Sequence, residues 1–497
     1  MKKILLLLYT AIGINQMATA QYGILDPSFG SGTPAGTAIF SSVNAGSFSQ
    51  GIAFQSDAKI LITTGENSGI ARLQANGTID NSFGTNGWTT SGQLSFSDII
   101  ELPNGKIIAA GRPTAISYND LYILCLDSNG IPDNSFAQNG IAADSTIGAG
   151  YEHIALQSGT KIIWSGALGI KRLMLNNGTP DASFGTGGFV RINQLPLYPL
   201  NIVVDNTTGN IIVGGITKSG SHLAITRLTV NGQVDATFGN NGIDSIAVVS
   251  TALSPMMKLG INSTGKIILA SDYDNGSSNG VVCVRFDNNG MPDNSFGTNG
   301  IAYTAWNMTG SGYQFFGGLA IESNDEVVIA CTLMDNGNAN GNDIAIVRLH
   351  TDGTQDASFG VAKLNINNAS ENAGSISIAP DGKLIVNGST AFHELVAKYT
   401  TGVSGLTELQ SLPLTITCSP NPVDEFTTMS LHIVEPQTLS CSIYNSDGRL
   451  VKVLFNNLQV SAGILTKKIS MSNMASGVYE MVIQSGNAKK HFTICKM

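Results

Sequence analysis

Seven aspartates recur along the 497-residue chain in one phrase, Asp-x-Ser-Phe-Gly or a close variant: Asp26, Asp80, Asp133, Asp181, Asp235, Asp293 and Asp356. Arginines stand on short apolar runs between them, at Arg72, Arg172, Arg227, Arg285 and Arg348, and Cys125 takes that place ahead of Asp133. A carboxylate and a guanidinium at a fixed spacing suit either an acid–base site or a charge-assisted pair holding a structural unit together. Seven copies of one catalytic site would be redundant. The pattern therefore predicts that each Arg pairs with an Asp of its own or a neighbouring unit.

Other reactive residues form no recognisable constellation. The histidines His153, His222, His350, His393, His432 and His491 show neither HExxH nor any paired spacing, and GxSxG, P-loop and dinucleotide fingerprints are missing. Two turns, Asp127–Asp133 and Asp287–Asp293, place Asp and Asn around a glycine as calcium loops do, but lack EF-hand spacing and a terminal Glu. Asp and Asn also favour such turns by bonding their own backbone, and that is the expectation here. Cys125, Cys283 and Cys331 read as small buried apolar residues, and a Cys418–Cys441 bridge is open to an exported chain. The sequence assigns no catalytic residue, metal or cofactor. A net charge of −9 argues against a nucleic-acid partner.

What must position these residues is a repeat. Successive aspartates are 54, 53, 48, 54, 58 and 63 residues apart, the period of one supersecondary unit copied along the chain. Each unit holds the Ser-Phe-Gly phrase, an apolar run after a turn, as in Asn104–Gly111, and a short strand before another turn, as in Ala224–Gly232. The runs are four to eight residues long and bounded by Asn-Gly, Asp-Gly or Thr-Gly, which accept the positive φ of tight turns. Only 12 % of residues are charged and 57 are glycine, as expected of a turn-rich all-β chain. About four strands per unit predict a seven-bladed β-propeller-like domain, which hides strand edges by closing on itself, with an open β-solenoid as the alternative. The repeated Phe29, Phe83, Phe136, Phe184, Phe238, Phe296 and Phe359 then fill equivalent core positions.

The longest units show where sequence was inserted. Ser271–Asn279, Trp306–Phe316 and Asp335–Asp343 break the repeat, and they bring Asp272, Tyr273, Asp274, Trp306 and Tyr313 as candidate binding residues. Aromatic side chains beside Asn and Asp suit a glycan or protein ligand on variable loops of a rigid scaffold. Phe315 and Phe316 serve equally well as core. An enzyme acting on a polysaccharide or peptide, and a purely structural surface protein, are the alternatives.

The two ends read differently. Lys2 and Lys3, an apolar run from Ile4 and the small residues Ala18-Thr19-Ala20 predict a signal peptide over 1–20, cleaved between Ala20 and Gln21. No later stretch is long enough to span a bilayer as a helix. The repeats are expected over 21–400, a linker over 401–412, and a small Ig-like β-sandwich over 413–497, where seven strand-like runs follow at short spacing.

The phrases over roughly 24–400 resemble the delta-60 repeat of secreted bacterial proteins. Ala137 in place of glycine, Thr237 in place of serine and Val361 onward, without the later glycine, are departures from it. That resemblance implies a propeller-like fold and no assigned reaction. The tail resembles the C-terminal sorting domain of type IX (Por) secretion. Ser419-Pro420-Asn421-Pro422, Tyr444–Arg449 with Gly448, Met474–Tyr479 with Gly477, and Lys489-Lys490 carry that match. It implies the type IX outer-membrane translocon and sorting machinery as partners, and export through the periplasm to the cell surface or beyond.

Overall fold

The computed structural model describes residues 23–496 except 42–49, 65–68, 90–93, 114–119, 249–251, 276–278, 305–312, 335–340, 367–368, 401–413, 446–449, 475–476, 486–487 and the single residues 149, 151, 221, 360, 392, 435 and 473. The signal-peptide and linker expectations, with Ala20, Gln21, Trp306 and Gly448, lie outside them. The chain divides into two compact units, Met1–Thr401 and Gly402–Met497.

In the first unit, seven four-stranded antiparallel sheets follow one another, numbered here in chain order by their first strands: Ile52–Phe54, Leu94–Glu101, His153–Gln157, Leu197–Val204, Ala252–Ile261, Tyr313–Ile321 and Glu371–Ile378. Each first strand packs on the first strand of the next sheet, and that of the seventh packs on that of the first. The sheets therefore form a closed ring. The seventh draws its three later-chain strands, Glu371–Ile378, Leu384–Thr390 and His393–Tyr399, from one end of the unit and its outer strand, Thr37–Phe40, from the other. Asn387 Nδ2 also donates to the Gly51 carbonyl at 3.2 Å across the closure.

The core lies between neighbouring sheets. Ile268, Cys283 and Phe296 of the fifth meet Val327, Ile329 and Cys331 of the sixth, and Phe29 and Ile385 meet Ile60 and Ile62 where seventh and first join. All seven repeat phenylalanines are buried. The phrase does not open a sheet, as its order in sequence suggests, but links a sheet's third strand to its fourth: Asp80–Gly84 runs between Gly69–Leu73 and Trp88–Thr89. Asp26–Gly30 accordingly serves the seventh sheet, with Asp26 N–H donating to the Lys398 carbonyl at 2.8 Å.

The second unit holds a three-stranded sheet of Leu414–Ser419, Phe426–Ile433 and Gly463–Ser470. Its other sheet has four strands: Leu450–Val460, Gln437–Asn445, Gly477–Ser485 and Ala488–Lys496. Met429, Leu431, Leu439, Cys441, Ile443, Met481 and Ile483 form the core that both sheets cover. In place of the Cys418–Cys441 bridge, both thiols are free and buried, and burial pushes them up to about 11 and about 12.

Candidate functional site

The repeat residues come together as a structural clamp. Asp80 Oδ1 accepts from the N–H and the hydroxyl of Ser82, at 3.1 and 2.7 Å, which closes the turn. Asp80 Oδ2 takes Arg72 Nε at 2.8 Å, and the guanidinium lies 4.6 Å from the centre of the Phe83 ring. Arg72 also reaches the Ser128 carbonyl of the next sheet, and Gly84 N–H donates to Asn129 there at 2.7 Å. Gly84 has φ +50, and a Cβ would lie 2.1 Å from the Trp88 carbonyl oxygen, so the phrase needs its glycine. The expected Arg–Asp pairs recur at Arg172–Asp181, Arg227–Asp235, Arg285–Asp293 and Arg348–Asp356. Where Cys125 replaces Arg, Lys106 pairs with Asp133 instead, and Lys383 holds Asp26 at 2.8 Å.

Burial alone would raise these carboxyls. Hydrogen bonds from the phrase's serine and the adjacent Arg or Lys outweigh it and hold Asp26, Asp80, Asp133 and Asp356 down at about 2. The two Asp–Asn turns bond themselves: Asp127 Oδ1 accepts from Asn129 and Ile131, and Asp287 Oδ1 from Asn289 and Met291.

The clamps share one face of the ring with the hairpins joining first to second strands. The opposite face carries the hairpins from second to third strands and the connections between sheets. The described residues of the three inserted segments, 271–275, 279, 313–316 and 341–343, belong to that opposite face. A cavity of about 590 Å³ opens there around the axis. Its wall takes residues from the beginnings of first strands, with Arg112, Thr332, Met334 and Asn342 from second and third strands. Five first strands of the ring carry a β-bulge or irregularity, at Ser97, Leu200, Leu253–Met257, Gly317 and Gly374. A Cβ on Gly317 would lie 2.7 Å from that of Ala373, so glycine lets the sixth and seventh strands approach at the wall.

The cavity is amphipathic. Phe315, 47 % exposed, and Met256 and Met334 form its apolar part, and Arg112, Glu152 and Lys258 bring charge beside the His153 imidazole. Glu152 is spent on the Gly150 N–H at 2.7 Å. His153 Nδ1 stands 3.4 Å from Asp98 Oδ2, which also accepts from Ile154 N–H at 3.0 Å. Burial and then the Lys258 charge lower the His153 pKa, favouring the neutral ring. Asp98 is partly buried, and against that burial the hydrogen bond from His153 and the Lys258 charge keep its pKa low.

The candidates chosen from sequence fall elsewhere on this face. Asp272 Oδ1 accepts from Phe316 N–H and so joins the fifth sheet to the sixth. Tyr273 packs edge-on against Tyr303 with ring centres 4.8 Å apart, and Asp274 pairs with Asn279 at the hairpin end. Tyr313 begins the first strand of the sixth sheet. Asp272, Tyr273 and Asp274 do not line the cavity, whereas Phe315 does and Phe316 is buried. Sequence reading missed Arg112, Glu152, His153 and Lys258, which have no common spacing. The Gly317-Gly318 pair was the one local hint of a close approach.

In the second unit the sorting-motif residues tie down the last strand. Asn421 Oδ1 accepts from Cys495 N–H at 2.9 Å, and Val423 N–H donates to the Cys495 carbonyl at 2.7 Å. Tyr479 is buried on the neighbouring strand, which begins at Gly477, and Lys489 and Lys490 lie in the last one, paired with Gln484 and Ile483.

Residues 418–496 match the secretion system C-terminal sorting domain, and 55–83, 102–136, 207–238, 263–296 and 323–359 match a β-propeller domain of unknown function, DUF5122. No curated protein matches the chain significantly. Among solved structures, it is similar to a streptogramin B lyase at 14 % identity and TM-score 0.41, over 73 % of this chain and 97 % of that one. It is also similar to the hydrazine synthase of Kuenenia stuttgartiensis, at 10 % identity and TM-score 0.44, over 73 % and 98 %. Among the described residues no helix is long and apolar enough to cross a membrane. The chain thus carries repeats that match the DUF5122 β-propeller model and a type IX sorting domain, which directs it through the Por system to the cell surface.

Proposed function

We propose that this exported propeller is a binding platform that takes a glycan or protein ligand at the axial cavity and its rim. The observation that carries this reading is the shared face: the cavity and the described residues of the three inserted segments, 271–275, 279, 313–316 and 341–343, belong to the end of the ring away from the structural clamps. Phe315 is an exposed aromatic that a sugar ring or peptide side chain can cover, and Arg112 and Lys258 line the same cavity. The test is a glycan array and a surface-protein pull-down with the full chain and with Phe315→Ala and Lys258→Ala. Saturable binding weakened roughly tenfold or more by either change supports the reading. A flat array with an empty pull-down removes it.

A second reading, an enzyme acting on a polysaccharide or peptide, rests on the Asp98–His153 pair at the cavity wall. A carboxylate that orients a neutral imidazole is the arrangement a general base requires. Turnover lost in His153→Ala with binding retained would favour it over simple binding.

A further inference from the structure

The sixth sheet breaks the charge pattern of the others at one place. In five sheets the hairpin between first and second strands supplies a lysine, at Lys59, Lys106, Lys161, Lys266 and Lys383, which pairs with the phrase aspartate. The fourth sheet has Asn210 there, and the sixth has Glu326. Two further changes accompany that reversal. Glu322 stands where Gln55 and Gln157 offer neutral amide oxygens to arginine, and His350 follows the strand where Gln74 and Thr229 stand in the first and fourth sheets.

The result is a cluster of three carboxylates around one guanidinium. Arg348 contacts Glu322 Oε2 at 3.3 Å, Glu326 Oε2 at 3.2 Å and Asp356 Oδ2 at 2.5 Å. These contacts engage one oxygen of each acid. His350 faces the remaining oxygens, with Nδ1 2.8 Å from Glu326 Oε1 and Nε2 3.7 Å from Asp356 Oδ1. Donor atoms of Glu326, His350 and Asp356 all lie within 4.8 Å of one another. Two ligands of one tetrahedral ion sit roughly 3.3 Å apart, so side-chain shifts of about 1 Å would close the shell. An independent sign of a missing positive partner is Glu322, which is 3 % exposed with Oε1 buried and without a hydrogen bond. Burial pushes the Glu322 carboxyl up to about 7, so Arg348 faces the carboxylates of Glu326 and Asp356 and a third acid that is easily protonated, and a buried polar oxygen without a partner is costly. His350 is 43 % exposed at the side chain, so the cluster is open to solvent from its side.

We infer that Glu326, His350 and Asp356 bind one divalent transition-metal ion, with buried Glu322 beside them. An imidazole among carboxylates favours zinc or manganese over calcium, whose sites are built from oxygen. Asp356 Oδ1 keeps its bonds to Ser358 at 2.8 and 2.6 Å, which fix that ligand's orientation as outer partners of metal sites do. The ion would fasten the hairpin carrying Glu322 and Glu326 to the third strand and phrase of the same sheet. This role is structural and independent of the axial cavity on the opposite face.

The test is calorimetric titration of the metal-stripped full chain with Zn²⁺ alone, Mn²⁺ alone and Ca²⁺ alone, together with thermal melts. Wild type is expected to bind one equivalent of Zn²⁺ or Mn²⁺ more tightly than Ca²⁺ and to melt higher with it. Glu326→Lys restores the lysine of five other sheets, so it should fold, melt without metal at or above wild type, and bind about 100-fold more weakly or not at all. His350→Ala should lose the same binding. No saturable binding to wild type, or binding unchanged in Glu326→Lys, overturns the assignment.

Discussion

Arg72 Nε lies 2.8 Å from Asp80 Oδ2, and both side chains are nearly inaccessible to water, at 3 % and 5 % exposure. The pair closes its own sheet, and through the Ser128 carbonyl it also holds the next one. Repeated with local variations around the ring, this relationship makes the phrase a joint between sheets and not a site.

Removing Arg72 should therefore destabilise the protein well beyond a surface change. Arg72→Ala leaves Asp80 buried without its main partner and uncovers the Phe83 ring, at a cost of about 3 kcal/mol. The urea midpoint should fall clearly. A midpoint equal to wild type would return the pair to the status of a dispensable surface bridge.

Closure depends on the strand Thr37–Phe40, which pairs residue by residue with Glu394–Ala397. Deleting residues 23–41 removes that strand and the Asp26 clamp, and leaves the seventh sheet's His393–Tyr399 strand as an open edge. The expected outcome is a lower melting temperature and loss of soluble protein on expression, checked by calorimetry and by size-exclusion chromatography. Unchanged melting would mean that the ring does not need this closure.

Acid should loosen the clamps before other parts. Asp26, Asp80, Asp133 and Asp356 are held at about 2, below the ordinary 3.8. A depressed folded-state pKa contributes stability that is complete above about pH 4 and lost as pH falls toward 2, on the order of 2 kcal/mol for each fully formed clamp. Urea midpoints measured from pH 5 to pH 2 should drop steeply over that window. Asp80→Asn should flatten part of the slope, and a parallel curve would contradict the assignment.

Thiol labelling provides a separate check on packing. Cys125, Cys283, Cys331, Cys418 and Cys441 are buried and free, and burial raises their thiol pKa. Thiolate is the reactive form, so alkylation of native protein should modify Cys495 alone and denaturation should expose all six. Mass spectrometry that finds Cys418 and Cys441 joined would refute the unbridged core.

Sequence by itself determined the repeat, the all-β class and the Arg–Asp pairing. The pairing was legible because Arg72 precedes Asp80, Arg285 precedes Asp293 and Arg348 precedes Asp356 by the same eight residues, a distance that one strand and one turn fix locally. The tail was equally legible, because Asn421, Tyr479 and the final strand occur in a set order over a short span. The phase of the sheets was not. The phrase opens each unit in the chain but ends each sheet in space, since pairing of Thr37–Phe40 with a strand some 360 residues later depends on ring closure.

Only the tertiary structure decided the two places where chemistry is concentrated. The cavity takes Arg112, His153, Lys258 and Phe315 from four different sheets, and bulges that no local pattern dictates turn the first strands around it. The acid cluster was visible as letters, with Glu326 where lysine is the rule and His350 two residues past Arg348. Its meaning required the fold, because only the hairpin's return brings Glu322 and Glu326 against Asp356, some thirty residues onward in the chain.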